Sequence, residues 1–284
     1  VELRSLSPEP GVRLFAKLEG QNPTGSIKDR IVLRILRAAK ASGALAPGQR
    51  IIEASTGNTG VSLAMFGRML GHPVDVCVPE SVYPEIEELL AVHGARIRRV
   101  PRQAGIKTAI EVAQAVADQE GAFLLNQFFS DENVAAHYEG TGAEILADVG
   151  SVDVFIAGMG TGGTITGVGR RLKEQNPACH VFGVEPRLGV HVQGLKSLED
   201  GFIPPVLDED VLAPAVLQDR RHVRLGLVDP VVHRGDHLAP ERHDGTDHDD
   251  HDHDQALDDG GVVGVNTQER QVGADEPQDV DRHD

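Results

Sequence analysis

Arg50-Ile51-Ile52-Glu53-Ala54-Ser55-Thr56-Gly57-Asn58-Thr59-Gly60-Val61-Ser62-Leu63-Ala64-Met65-Phe66-Gly67-Arg68-Met69-Leu70-Gly71-His72-Pro73-Val74-Asp75-Val76-Cys77-Val78 is the stretch whose reading decides the fold. Residues 50–54 form a short strand, 59–70 a helix stopped by Gly71, and 74–78 a nearly continuous apolar run. Such a run fits a strand buried on both faces of a parallel sheet. The alternation continues outward. Upstream lie a strand at 12–18 and a helix at 27–41, with apolar residues at 27, 31, 35 and 39 and a stop at Gly43. Downstream come a helix at 84–93 ended by Gly94, a strand at 95–100, a helix at 107–119 and a strand at 123–127. A helical stretch at 133–148, interrupted around 140–142, precedes a strand at 152–157, a helix at 164–174 and a strand at 180–184. Repeated βα units give an α/β chain with parallel sheets covered by helices. Ligands of such folds sit beyond the carboxyl ends of strands, where the Gly-rich loops of this chain fall. Val1-Glu2-Leu3 reads like the end of a strand, so the N-terminus is expected to be cut.

The 284 residues suffice for two domains, each with its own core. A formal net charge of −17 argues against wholesale binding to nucleic acid or to an anionic membrane. No apolar run is long enough to span a bilayer and no signal peptide is visible. Two cysteines, Cys77 and Cys179, cannot build a disulfide framework or a Cys-rich metal site, which fits a reducing cytoplasm. The charge is unevenly spread. Residues 213–284 hold 18 acidic and 7 basic side chains, 8 of the 13 histidines, no lysine and no aromatic, whereas residues 1–212 carry 26 acidic against 20 basic groups, an ordinary ratio. The run His243-Asp244-Gly245-Thr246-Asp247-His248-Asp249-Asp250-His251-Asp252-His253-Asp254 is low in complexity and lacks the apolar content to offset chain entropy. It reads as disordered or out of frame rather than as a metal site.

Three loops carry candidate chemistry. In Asn22-Pro23-Thr24-Gly25-Ser26-Ile27-Lys28-Asp29-Arg30 a turn leads into an apolar helix with a lysine in its first turn. The helix dipole there raises the cost of a positive charge, which suits a lysine that must attack an aldehyde as a free amine. Taken alone, Lys28 reads as an ordinary surface residue. In Glu53-Ala54-Ser55-Thr56-Gly57-Asn58-Thr59-Gly60, between strand and helix, backbone N–H groups, hydroxyls and an amide can bind a carboxylate. The same residues would also make a plain helix cap. Gly158-Met159-Gly160-Thr161-Gly162-Gly163-Thr164 follows a strand and opens a helix, so its amides and hydroxyls can hold a phosphate. Gly158, Gly160 and Gly163 also match the dinucleotide fingerprint, with Glu185 at the end of the next strand, and an NAD-dependent oxidoreductase stays open as an alternative.

Taken in order, the three motifs resemble the cysteine synthase and cystathionine β-synthase family, the β-replacing pyridoxal 5'-phosphate (PLP) enzymes of fold type II, over residues 1 to about 210. The resemblance implies that Lys28 bonds the cofactor covalently and that Asn58 contacts the pyridine 3′-oxygen. It gives Gly160, Thr161, Gly162, Gly163 and Thr164 the phosphate, and Ser55, Thr56, Thr59 and Gln127 the substrate carboxylate. Thr56 stands where the family usually has serine, and keeps the hydroxyl. The implied fold has a smaller mobile domain at 22–131 and a larger, incomplete PLP-phosphate-binding domain at 1–21 and 132–212, with 213–284 as an acidic His/Asp-rich tail.

The implied activity is a cysteine synthase, a transferase or lyase of amino-acid biosynthesis. It would act on O-acetylserine or O-phosphoserine with a sulfur donor, as a cytoplasmic homodimer. A cystathionine β-synthase-like replacement and an inactive fragment are the other readings. Family members carry a late serine that meets the pyridine nitrogen, and this chain has no serine after Ser197. The chain as written is therefore expected to be marginally folded and poorly active. Cys77, in a strand, reads as packing, and Cys179, His137 and Tyr138 receive no role.

Overall fold

The computed structural model describes residues 1–7, 9–80, 82–101, 105–190, 192–213 and 262–267. In chain order the elements are β1 (Val12–Lys17), α1 (Lys28–Ser42), β2 (Ile51–Ala54), α2 (Asn58–Met69), β3 (Val74–Pro79), α3 (Pro84–Val92), β4 (Arg96–Val100), α4 (Gly105–Glu120) and β5 (Phe123–Leu124). There follow α5 (Asp131–Ala136), a π-helical turn (His137–Gly142), α6 (Ala143–Val149), β6 (Val154–Gly158), α7 (Gly163–Gln175), β7 (His180–Val184) and β8 (Val262–Thr267).

One sheet runs β4-β3-β2-β5 and is parallel throughout. Every residue of β2 and β3 is buried, as the apolar run at 74–78 requires. Ile31, Ile35 and Leu36 of α1, Leu63 of α2 and Leu90 of α3 pack with Val76 and Val78 in one core. Ile52 and Cys77 meet Ala109, Ala113 and Ala117 of α4 in another. Asp75, buried in β3, is paired with Arg50 and with Arg98 at 2.6 Å.

The other sheet runs β1-β8-β6-β7 and is mixed. β6 and β7 are parallel, and β8 lies antiparallel to both β1 and β6. The sequence reading placed no element within 213–284, so β8 corrects it. Val262-Val263-Gly264-Val265 is a short β-branched run whose signal is lost in the surrounding acidic composition. The His/Asp run at 243–254 lies outside the described residues. Phe155, Ile165, Val168, Leu172 and Val181 form the core between β6, β7 and α7, and Leu207, Val211 and Leu212 join it.

Ion pairs tie α1 to the helices after residue 130. Arg30 pairs with Glu19 at 2.6 Å and with Glu144 at 2.7 Å, and Arg34 with Glu132 at 2.6 Å. The guanidinium of Arg30, aided by Lys17, holds Glu144 down to about 2.

Candidate active site

Lys28 is the first residue of α1, one residue later than the helix start expected at 27 and still within the first turn. The turn before it is held by Asp29, which is 4% exposed and accepts from the Thr24 N–H at 2.7 Å and from the Thr24 hydroxyl. The Ser26 hydroxyl accepts from the Lys28 N–H at 3.3 Å. Asp29 and Arg30 are thus structural anchors, a role that their polarity gave no reason to assign.

The loop from β2 to α2 is organised by Ser55. Its Oγ accepts from the Gly57 N–H at 3.2 Å and from the Gly60 N–H at 3.0 Å. Thr56 is exposed, and Thr59 is buried. The Thr59 hydroxyl donates to Gln127 Oε1 at 2.7 Å. Gln127 Nε2 donates to Glu53 Oε1 at 3.3 Å and to the Ala54 carbonyl at 3.2 Å. The amide donors of Gln127 therefore point to β2, and its carbonyl orients Thr59. Glu53 was not singled out in the sequence. It is 2% exposed and also accepts from the Asn126 N–H at 2.6 Å.

The glycine loop joins β6 to α7. Gly162 has φ +87°, a conformation natural to glycine alone. A Cβ on Gly163 would overlap the Asn133 carboxamide, one on Gly160 the Gly194 carbonyl, and one on Gly162 the Leu207 side chain. At each of these three glycines the protein's own atoms fill the space that an added Cβ would need. Asn133, fully buried, donates from Nδ2 to the Gln127 carbonyl at 2.8 Å and to Thr161 Oγ1 at 3.0 Å. One side chain thus links the segment carrying Gln127 to the glycine loop.

These elements enclose a cleft lined by Ser26, Ile27, Lys28, Asn58, Gly158, Gly160, Thr161, Gly162 and Thr164, with Gln193, Gly194 and Leu195 on a further side. Six of the anticipated residues meet there: Lys28, Asn58, Gly160, Thr161, Gly162 and Thr164. Ser55, Thr56, Thr59, Gly163 and Gln127 do not line the cleft itself. The segment 193–195 was missed, since no repeat or motif in the sequence marks it. Gln193 also presses its side-chain amide against Gly57. Glu185, on which the dinucleotide alternative rested, accepts the Leu198 N–H at 2.6 Å.

Two buried groups near the cleft titrate unusually. Burial pushes Glu53 up to about 7, against the N–H groups it accepts. Burial, with the charges of Lys28 and Arg30, pushes His137 down to about 3. Between about pH 6.5 and 3 an unfolded chain protonates His137 and the fold does not, so that group costs stability as pH falls. From about pH 7 to 4.5 the folded chain holds a proton on Glu53 that the unfolded chain lacks, so acidification favours the fold there. Glu53→Gln should therefore melt with a steeper loss of stability than the wild type as pH falls from 7 to 4.5. Equal slopes in the two proteins would show that Glu53 ionises normally.

The donor set suits PLP. The start of the 13-residue helix α7 and the hydroxyls of Thr161 and Thr164 offer donors to a phosphate. Lys28 lines the same cleft, and a lysine amine there can meet an aldehyde. A family model described as "Pyridoxal-phosphate dependent enzyme" matches residues 1–217. The chain belongs to this family of pyridoxal-phosphate-dependent enzymes, in its cysteine synthase branch. It is 36% identical over 209 residues to cysteine synthase B of Pseudomonas aeruginosa, a match covering 73% of this chain and 70% of that protein. With the cysteine synthase of a Flavobacterium species the identity is 39%, covering 70% and 68%. Among solved structures, O-ureido-L-serine synthase superposes with a TM-score of 0.66 at 34% identity, covering 69% of this chain and 65% of that one. A hydrogen sulfide-producing enzyme of Fusobacterium nucleatum gives 0.66 at 33% identity, covering 71% and 64%. The chain thus spans about 65% of the length of these solved proteins.

Proposed function

We propose that the cleft carries out a cysteine synthase reaction, the β-replacement of an activated serine, O-acetylserine or O-phosphoserine, by sulfide. The observation that carries this reading is the meeting of Lys28, Asn58 and the Gly160–Thr164 loop in one cleft beside the Ser55–Thr59 loop. When bound, PLP would supply an electron sink for the bonds at the substrate's Cα. Lys28 would hold the cofactor's aldehyde. As a free amine it would also act as the general base that takes the substrate's Cα proton. Its place at a helix start favours the uncharged amine that this needs. Asn58 would contact the ring 3′-oxygen, and Thr161 and Thr164 would donate to the phosphate. The loop at 55–59 would receive the substrate carboxylate, Thr56 from the exposed rim and Thr59 from the buried side.

The moving part would be the unit at 22–131, which contains the parallel sheet. A cytoplasmic homodimer is the assembly proposed. Burial pushes the Cys77 and Cys179 thiols up to about 11 each, so both are protonated bystanders. Among the described residues no helix is long and apolar enough to cross a membrane.

Turnover of O-acetylserine, O-phosphoserine and serine, each with sulfide or homocysteine, tests the reading. Cysteine from an activated serine is expected, whereas cystathionine from serine alone would move the chain to the cystathionine β-synthase-like alternative. Gln127→Ala should raise KM for the amino-acid substrate about tenfold and spare cofactor binding, because Thr59 loses the acceptor that orients it. Unchanged substrate kinetics would remove Gln127 and Thr59 from the substrate site.

A further inference from the structure

Behind the glycine loop runs the face of α5 and the π-helical turn that presents Asn133 and His137. Gly163 and Gly167 of α7 let this face come close, since a Cβ on Gly167 would overlap the Val134 carbonyl and His137 Cβ. The contact places a side-chain nitrogen behind each loop threonine. Asn133 Nδ2 donates to Thr161 Oγ1 at 3.0 Å, and His137 Nε2 lies 3.2 Å from Thr164 Oγ1. The other ring nitrogen, Nδ1, lies 3.0 Å from Thr141 Oγ1. Thr141 is fully buried, and His137 is 2% exposed.

We propose that His137 is a positioning residue whose Nε2–H tautomer turns the Thr164 hydroxyl proton into the cleft, toward an anion held by the loop. The proposal rests on the reading of residues 160–164 as the phosphate holder. A neutral imidazole has one donor and one acceptor nitrogen, and the partner of one fixes the role of the other. In the proposed arrangement the Thr141 hydroxyl donates to Nδ1, which leaves the proton on Nε2 to be given to Thr164 Oγ1. That oxygen, accepting from behind, directs its own proton forward. Thr161 is served in the same way by Asn133, whose amide can only donate from Nδ2. Burial beside Lys28 and Arg30 keeps the imidazole neutral, so the chain of bonds keeps one direction across the working pH range. The π-helical turn runs from His137 to Gly142. It carries both His137 and Thr141, in a helix form that is frequent at functional sites.

The test compares affinities of the apoprotein for PLP and for pyridoxal, which lacks the phosphate. Wild type, Thr141→Val and His137→Phe are measured, with the ring tautomer of the wild type read by 15N NMR. The wild type should favour PLP and show the Nε2–H tautomer. Both variants should cut the PLP preference about tenfold while binding pyridoxal as the wild type does. An Nδ1–H tautomer, or an undiminished preference in Thr141→Val, overturns the proposal even if His137→Phe fails to fold. Equal wild-type affinity for PLP and pyridoxal would instead overturn the phosphate reading of the loop, and the proposal with it.

Discussion

Lys28→Ala should leave a folded protein that binds PLP only noncovalently, with turnover reduced by at least about 10³-fold. The residue would have two duties, as the amine that holds the aldehyde and as the base for the Cα proton. Lys28 lines the cleft from the first turn of α1, and its backbone N–H is held by Ser26. The fold should survive, because Asp29 and Arg30 anchor the turn. The rival is Lys196, which adjoins the cleft residue Leu195, has its pKa lowered by burial, and lies 5.7 Å from the rings of Phe128 and Phe202. Lys17 is a poorer candidate, being paired with Glu144 at 2.8 Å. Absorbance and activity of Lys28→Ala beside Lys196→Ala decide between them. A Lys28→Ala protein with near-normal turnover would rule out its role.

Gly163→Val should cost about 2–3 kcal/mol of stability and also weaken PLP binding. The first effect follows from overlap with Asn133, which has no room to retreat because it is fully buried. The second follows from the bonds Asn133 makes to the Gln127 carbonyl and Thr161 Oγ1, both lost if its carboxamide is displaced. Urea unfolding and PLP titration measure the two effects separately. A variant with wild-type stability would contradict the packing account, and one with normal PLP occupancy would remove the loop from cofactor binding.

Much of this site could be read from residue order. The apolar run at 74–78 became the fully buried β3, and Gly43, read as a helix stop, caps α1 with φ +79°. The three motifs fall on strand-to-helix loops because glycines and hydroxyl residues mark such loops locally. What could not be read depends on distant packing. Asn133 and His137 gain their importance only when α7 meets their helix, and neither lies in a recognisable motif. The strand expected at 123–127 stops at Leu124. Asn126 instead takes φ +61°, and that twist brings its N–H to the buried Glu53. The strand at 262–267 was hidden for a different reason, since an average over an acidic segment conceals six residues of opposite character.

Borohydride reduction of the PLP-loaded protein, followed by peptide mapping, tests the central claim most directly. The account predicts a pyridoxyl mass on the peptide containing Lys28 and on no other. The same mass on Lys196, Lys17 or Lys40, or PLP retained with no lysine labelled, would contradict it.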